Sequence, residues 1–421
     1  MAQLHEWMFY EVMWRLYARG LPYPFPWWVQ QNFRHWTDSF DTGLFDSKEA
    51  AFVSNANYRY WNMVGEVNRD LESLVGQAGE VEPVYDEYAV SFFLYDPGTK
   101  TLHFPQLAGL DGRPSSLRQE LQEGWLPVVL THYESGMGIA VDEKVYGTQL
   151  APGDSRSFVM MRLAASLLVT APVDAWLCVS VSPMGPTGFQ RHDRAGRFLA
   201  DRRLTFLRYI AADQRVEVNA TWGPSFDTAP THFGVYGNGN SMDPDFYLQC
   251  NPYSELATRG FLNGFDTATD QVAGLCHGVF AWPMHLTPAA GVFGLDLRLP
   301  VGDLQTVSDL HDMSAANADA LDGSIVADWG LTLFQSGTRF ALPASLDALA
   351  NQDALSRAHL LILADSGEIH PGPTIYDSFW IRDSSVEGIA CALAGQEDLA
   401  EAQFGTHYPR VFNRGTGRIG P

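Results

Sequence analysis

The chain has 421 residues, and 46% of them are hydrophobic. That length exceeds one ordinary core and predicts two domains, or one very large β domain with a further unit. The formal net charge is −22, and an acidic surface repels a phosphate backbone, so nucleic acid is excluded as an expected partner. The aromatic fraction of 13% fits a large core or surfaces for stacking, and core packing takes the larger share.

The spacing of the cysteines and the lack of long apolar runs indicate in which cellular compartment the protein is expected. Cys178, Cys250, Cys276 and Cys391 lie far apart without CxxC pairing, so we expect buried free thiols rather than a disulfide framework or a metal knuckle. No run reaches the ~20 apolar residues of a transmembrane helix, and the N-terminus lacks the regions of a signal peptide. These observations predict a cytoplasmic protein without a transmembrane segment.

The first 50 residues form an aromatic-rich segment with helical character. Residues 3–19 mix charged and aromatic side chains as an amphipathic helix does, and Gly20 ends the pattern. The three prolines of the following LPYPFP exclude a regular helix. We expect the helix to dock on the protein's own body, and a helix lying on a membrane surface is the alternative.

The sequence predicts a large β domain over residues 51–338. Short apolar runs alternate with period two and are separated by turns. The run YAVSFFLYDPGTKTLHF, for example, predicts a hairpin with its turn at PGTK. A dozen or more such strands, with hardly a helix among them, exceed one sandwich of ~100 residues. We therefore predict a large antiparallel sandwich of two sheets.

The pattern becomes helical after residue 338. Residues 339–365 predict a linker helix with Pro343 in its first turn. Its predicted apolar stripe consists of Leu346, Leu349, Leu355, Leu360, Leu361 and Leu363. After a loop rich in Gly and Pro, residues 384–404 predict an αα-hairpin. Ser384 and Glu387 have the spacing of a capping box, and the predicted apolar face of its first helix consists of Val386, Ile389, Ala390 and Leu393.

The run YDSFWIRDSS, residues 376–385, combines an aromatic ring, a guanidinium group and a carboxylate just before this helix. A pyranose stacks its apolar face on a ring, and an arginine with an aspartate can grip a pair of its hydroxyls. Local physics alone favours a plainer interpretation, in which Asp383 caps the helix, Arg382 is its ion partner and Trp380 belongs to the core.

The surroundings of this run resemble the junction in bacterial glucoamylases and related inverting glycosidases. In that family a β supersandwich and a linker helix lead into an Asp-x-Gly-x-Ile segment, a proline-containing loop, a Trp-x-Arg-Asp tetrad and the first helix of an (α/α)6 barrel. The matching residues here are Asp365, Gly367, Ile369, Pro373, Trp380, Arg382 and Asp383.

The resemblance implies a mainly β chain with a supersandwich at 51–338, a linker helix at 339–365 and the start of the barrel at 366–421. It implies that Arg382 and Asp383 hold the terminal sugar of an oligo- or polysaccharide by its outer hydroxyls. By the same resemblance, the wall of the sugar pocket would be formed by Trp380, with Tyr376 as a weaker candidate.

The departure from the family is large, because an (α/α)6 barrel has twelve helices and the chain has room for only the first hairpin. The acid and base of an inverting glycosidase are carboxylates ~6.5–9.5 Å apart, and the family carries both on later barrel helices. We therefore assign no catalytic residue and expect the chain to be the inactive N-terminal portion of an exo-acting enzyme for α-glucosidic or related linkages. The alternatives are a glycoside phosphorylase of the same architecture and a non-catalytic carbohydrate-binding β-sandwich module.

The remaining motifs predict neither a cofactor nor a metal. The candidate histidines lack HxH or HExxH spacing; they are His132, His192, His232, His277 and His285. The Gly-x-Gly of YGNGNSMDP has no βαβ context, and residues 238–245 lack EF-hand spacing, which favours a plain turn over a calcium loop.

Overall fold

The fold is described from a computed structural model. It describes residues 61–105, 116–182, 186, 204–237, 252–269, 276–334, 342–413 and 418–419, apart from a few short gaps within these ranges. The predicted N-terminal segment at 1–50, the possible calcium loop at 238–245, and Cys250, His192 and Tyr376 lie outside the described residues.

One antiparallel sheet is built mainly from the first half of the described chain. Its strands are β1 (Trp61–Gly65), β2 (Glu72–Gly76), β3 (Val81–Glu82), β4 (Ala89–Asp96), β5 (Thr101–His103), β10 (Val173–Ser182), β14 (His232–Tyr236) and β16 (His277–Leu286). Among the described residues, the strand order is β1-β2-β3-β4-β10-β16-β14, and β5 pairs with β4.

A second antiparallel sheet lies against the first. Its strands are β6 (Ser116–Leu121), β7 (Val128–Glu134), β8 (Ile139–Gln149), β9 (Ser157–Leu167), β11 (Phe206–Ile210), β12 (Arg215–Val218), β13 (Thr221–Phe226), β15 (Thr267–Thr269) and β17 (Val292–Pro300). Within the described part of the chain, their order is β15-β11-β12-β13-β17-β9-β8-β7-β6. The prediction of a mainly β chain with antiparallel sheets is confirmed.

The hairpin predicted at PGTK is also confirmed. β4 and β5 pair antiparallel, Asp96 lies opposite Thr101, and the turn occupies residues 97–100 between them. The Asp96 carboxylate accepts hydrogen bonds from the backbone N–H of Gly98 at 2.8 Å and from that of Thr99 at 3.3 Å. This local hydrogen bonding is the reason that aspartate is favoured at the start of a turn.

The main core lies between the two sheets. Alternate residues of each strand point inward, so Val141 and Val145 of β8 meet Phe92 of β4 and Val179 of β10 in one fully buried cluster. Removing this apolar surface from water contributes about 25 cal/mol per Å². Period-two alternation is therefore the pattern that specifies which face of each strand is buried.

Seven helices of the described chain follow or interrupt the strands. They are α1 (Pro252–Arg259), α2 (Val307–Ala315), α3 (Ala318–Phe334), α4 (Asp347–Ile362), α5 (Ile381–Leu393), α6 (Glu397–Ala402) and α7 (Tyr408–Val411), and a π-helical turn (Gln403–His407) joins α6 to α7. Two short hairpins complete the described fold; they are β18 (Ala364–Asp365) with β19 (Glu368–Ile369), and β20 (Phe412–Asn413) with β21 (Arg418–Ile419).

The helices cover the outer faces of the sheets. On the first sheet, Tyr253 of α1 packs with Phe93 of β4. On the second sheet, Trp329 of α3 and Leu361 of α4 belong to a cluster with Met160 of β9. The expectation of hardly a helix between residues 51 and 338 is therefore wrong at α1, α2 and α3.

A local signal for α2 is present in the sequence. The Thr306 hydroxyl accepts a hydrogen bond from the Asp309 N–H at 3.1 Å, and the Thr306 N–H donates to the Asp309 carboxylate at 2.8 Å. This pair is a complete capping box with Asp in place of Glu. The apolar residues of α3 do not gather on one face of the helix. Hydrophobic periodicity therefore does not predict this longer helix.

Helix α4 lies within the predicted linker range, but the predicted leucine stripe is partly wrong. Leu346 and Leu349 are exposed. The buried side of α4 is instead formed by Ala354, Arg357, Ala358, Leu361 and Ile362. Two alanines on the inner face allow the helix to lie close to β1, and the two exposed leucines lie at or just before its start.

Candidate functional site

The Asp-x-Gly-x-Ile segment forms a tight β-hairpin directly after α4. Its two turn residues, Ser366 and Gly367, have φ values of 50° and 87°, which is the combination that a type I′ turn requires. A Cβ at Gly367 would lie 2.9 Å from the Cβ of Ala402 in α6. Glycine is therefore required both by the turn and by the close approach of the helix.

Helix α5 begins earlier than predicted. Its N-cap residue is Trp380, which makes no side-chain cap, and its first residue is Ile381. Ser384 already lies inside the helix, where its hydroxyl donates to the Ile369 carbonyl at 3.0 Å. The predicted capping box of Ser384 and Glu387 is therefore wrong, because a tertiary hydrogen bond to the β18–β19 hairpin takes the serine hydroxyl.

The tetrad Trp380–Asp383 presents its polar groups to solvent. The Trp380 side chain is 42% exposed, and the Arg382 side chain is 90% exposed. Arg382 Nη2 lies 3.3 and 3.4 Å from the two carboxylate oxygens of Asp383. The ion pair of the plainer interpretation is present, but Asp383 does not cap the helix and Trp380 does not belong to the core.

Among the described residues, the Arg382–Asp383 contact uses only a small part of the hydrogen-bonding capacity of the pair. A guanidinium group carries five N–H donors and a carboxylate has about four acceptor sites, whereas the Arg382–Asp383 contact uses one nitrogen. Because Asp383 lies in the first turn of α5, its charge is favoured by the partial positive charge at the helix N-terminus. The arrangement can bind a neutral ligand that both donates and accepts hydrogen bonds.

Glu387 lies one helical turn after Asp383 and has an altered acidity. Burial, and then the charge of Asp383, raise the pKa of Glu387 to about 7, although His370 opposes the shift. The Oε2 atom of Glu387 is buried without a hydrogen-bond partner in the described structure. Sequence reasoning assigned this residue only to a cap, and its acidity depends on neighbours that no local motif reveals.

A histidine surrounded by carboxylates lies beside the β18–β19 hairpin. His370 Nδ1 is 3.1 Å from Asp365 Oδ2 and 2.8 Å from Asp377 Oδ1, and His370 Nε2 is 3.5 Å from Glu368 Oε1. Burial would lower the pKa of His370, but the hydrogen bond to Asp377 and the charge of Asp365 raise it above its ordinary value. His370 belongs to no motif that would mark it in the sequence as a candidate ligand.

The predicted apolar face of α5 is exposed on its outer side. Val386, Ile389 and Leu393 are 67%, 54% and 76% exposed. The inner side of α5 carries Gly388, where a Cβ would lie 2.9 Å from the Phe404 ring. Small residues therefore face the second helical segment, and the large apolar residues face outward.

Three further observations concern residues outside the tetrad. Cys178, Cys276 and Cys391 are buried, as expected, and among the described residues none of them forms a disulfide bond. No helix within the described ranges is long and apolar enough to cross a membrane. A cleft of about 290 Å³ lies between α3, the end of β8 and the residues after β1, and a cleft of about 570 Å³ lies on the second sheet. Neither is lined by the tetrad.

Comparison with known proteins gives only a coarse likeness. No family model matches the chain, and no curated protein is significantly similar to it in sequence. Among solved structures, a family GH92 inverting mannosidase from Bacteroides thetaiotaomicron VPI-5482 aligns over 72% of this chain and 35% of its own, with 8% identity and a TM-score of 0.36. A GH92 α-mannosidase from Bacteroides thetaiotaomicron aligns over 73% of this chain and 40% of its own, with 8% identity and a TM-score of 0.31.

The chain thus spans 35% and 40% of the length of these two glycoside hydrolases. A likeness at such TM-scores concerns the coarse arrangement of the chain and does not extend to individual residues of a site. The chemistry of the candidate site therefore depends on its own geometry.

Proposed function

We propose that Trp380, Arg382 and Asp383 form the sugar-holding part of a glycoside hydrolase of glucoamylase-like architecture. The observation that carries this proposal is the exposed Arg382–Asp383 pair beside a half-exposed indole ring at the start of α5. An indole offers an apolar face for a pyranose, and the charged pair offers both donors and acceptors for adjacent hydroxyls. Tyr376 is a weaker candidate for the wall of the same pocket.

In this proposal, the chain is the N-terminal portion of an inverting, exo-acting enzyme for α-glucosidic or related linkages. The supersandwich would occupy residues 51–338, the linker helix 339–365 and the start of the barrel 366–421. The exposed apolar face of α5 supports this plan, because the next helices of an (α/α)6 barrel would cover it. The catalytic acid and base would belong to those helices, so this chain alone would not hydrolyse a substrate.

The test is a substitution at Asp383 in a protein that continues this chain through the proposed barrel. Asp383→Ala removes a charged acceptor, and such a hydrogen bond contributes ~1.5–3 kcal/mol, so kcat/KM for an α-glucoside should fall about 10- to 100-fold. Asp398→Ala is the matched control, since Asp398 is an exposed aspartate in the first turn of the neighbouring helix α6. Equal kcat/KM values in the two variants and the unsubstituted protein would contradict the assignment.

Two other function classes fit the same architecture. A glycoside phosphorylase would need inorganic phosphate for cleavage, and a non-catalytic carbohydrate-binding module would bind glycans without turnover. Assays of the same longer protein with and without phosphate, and of glycan binding without turnover, distinguish these classes from a hydrolase.

A further inference from the structure

A compact group of three metal-ligating side chains lies beside the tetrad. One ligand atom each from Asp365, His370 and Asp377 can be chosen so that all lie within 4.8 Å of one another. Two of the separations are short, because His370 Nδ1 is 3.1 Å from Asp365 Oδ2 and 2.8 Å from Asp377 Oδ1. Both carboxylates therefore converge on the same ring nitrogen.

These separations match the spacing of ligands around one ion. In an octahedral site with bonds of about 2.1 Å, adjacent ligand atoms lie about 3.0 Å apart, and in a tetrahedral zinc site they lie about 3.3 Å apart. The observed nitrogen–oxygen distances of 2.8 and 3.1 Å are close to these values, and the three ligand atoms lie within 4.8 Å of one another.

The other ring nitrogen of His370 faces a carboxylate, as that of a metal-bound histidine often does. A ligating imidazole commonly donates its second N–H to a carboxylate, which fixes the ring and makes it a better ligand. Here His370 Nε2 faces Glu368 Oε1 at 3.5 Å. The second oxygen of Glu368 is held by His407 Nδ1 at 2.9 Å, so this outer carboxylate has a fixed orientation.

Two other histidines of the described structure lack this arrangement. His132 has two carboxylate neighbours, but Asp142 lies on Nδ1 and Glu134 lies on Nε2, so the two cannot bind the same ion with the ring. His285 pairs with Asp174 alone, at 2.7 Å. Both provide matched controls in the same molecule.

We propose that Asp365, His370 and Asp377 bind one divalent first-row transition-metal ion. A nitrogen with two carboxylate oxygens suits Mn²⁺, Co²⁺ or Zn²⁺ better than Ca²⁺, which takes six to eight oxygen ligands. The ion would join the β18–β19 hairpin to the segment that precedes Trp380, and water would complete its coordination. This inference does not depend on the proposed sugar-binding function.

The test is a titration of the purified chain, without an affinity tag, after treatment with a chelator. We expect one equivalent of Co²⁺ to bind, with visible absorption of a nitrogen- and oxygen-ligated ion, and Mn²⁺ or Zn²⁺ to compete while Ca²⁺ does not. Bound metal should also raise the Tm, because an ion that binds only the folded chain stabilises it.

Two substitutions should weaken Co²⁺ binding at least tenfold. His370→Ala removes the nitrogen ligand. Asp377→Asn changes an exposed carboxylate in a loop, so this substitution should not disturb the core. His285→Ala and His132→Ala should leave binding unchanged. A protonated histidine shared between two aspartates has the same separations, and it would bind no Co²⁺. Absence of binding, or equal binding by Asp377→Asn, overturns the proposal.

Discussion

Glu368 Oε2 lies 2.9 Å from His407 Nδ1, and this contact joins the β18–β19 hairpin to the π-helical turn after α6. The His407 side chain is 5% exposed, whereas that of Arg410, which approaches the same carboxylate at 3.7 Å, is 62% exposed. The buried contact therefore fixes the hairpin beside the helices that present the tetrad.

We expect His407→Ala to destabilise the fold more than Arg410→Ala. Removing the buried partner leaves Glu368 without its closest hydrogen bond, at a cost of about 1–3 kcal/mol. The exposed pair contributes about 0–1 kcal/mol. Urea unfolding of both variants measures the difference, and equal midpoints would show that the buried contact carries no special stability.

Gly367→Ala should cost more than an alanine substitution at another glycine with positive φ. Gly367 has φ of 87° and its added Cβ would lie 2.9 Å from that of Ala402, whereas Gly264 has φ of 71° and nothing within 4 Å. The backbone conformation alone costs about 1 kcal/mol, so Gly264→Ala measures that part. A larger loss of unfolding free energy in Gly367→Ala reports the helix contact, and equal losses would contradict it.

The sheets could be predicted because their signal is local. Period-two alternation marks the buried face of β7, where buried and partly exposed residues alternate from Val129 to Glu134. Asp96 with the following PGTK marks a turn through hydrogen bonds within four residues. Periodicity does not predict helix α3, because its sequence has no single apolar face: Ile325 and Trp329 are buried on one side, whereas Leu331 is exposed. Apolar residues outside the buried side blur the period that a single stripe would give.

The site was predictable only where its residues are neighbours in sequence. Arg382 and Asp383 pair as their adjacency suggests. The group of Asp365, His370 and Asp377 has no motif spacing, because a hairpin and a loop bring its members together. At Ser384 the local sequence predicts a helix cap that the structure does not have. The serine hydroxyl instead donates to the carbonyl of Ile369, 15 residues away.

The stability of the chain should decrease between pH 4.5 and about 8 through Glu66. Burial, and then the charge of Asp328, raises the pKa of Glu66 from 4.5 to about 8. The folded chain therefore holds a proton in this range that the unfolded chain releases. The stabilisation relative to the ionised group is complete below pH 4.5 and is lost as the pH rises through about 8.

Glu66→Gln should remove this part of the pH dependence. One such group contributes at most about 1.4 kcal/mol per pH unit, and the variant should have a flatter profile of unfolding free energy between pH 5 and 8. Glu120→Gln, at an exposed position of β6, is the control and should leave the slope unchanged. Urea unfolding at several pH values measures both slopes, and parallel profiles for the Glu66→Gln and unsubstituted chains would refute the assignment.

The outward face of α5 should bind a hydrophobic dye. Ile389 and Leu393 are more than half exposed on adjacent turns of the helix, and contiguous apolar surface of this kind marks a region that another element covers. Ile389→Lys with Leu393→Lys should lower dye fluorescence in the chain while leaving its unfolding midpoint nearly unchanged, because neither side chain contributes to a buried cluster.

In a longer protein with a helical barrel, the same pair of substitutions should destabilise the fold by several kcal/mol, since it would bury unpaired charges. Leu168→Lys, which replaces an exposed leucine directly after β9, is the control for the effect of added positive charge on dye binding. Dye fluorescence that is unaffected by the α5 substitutions would mean that this face is not the site of dye binding and would remove the support it gives to the barrel.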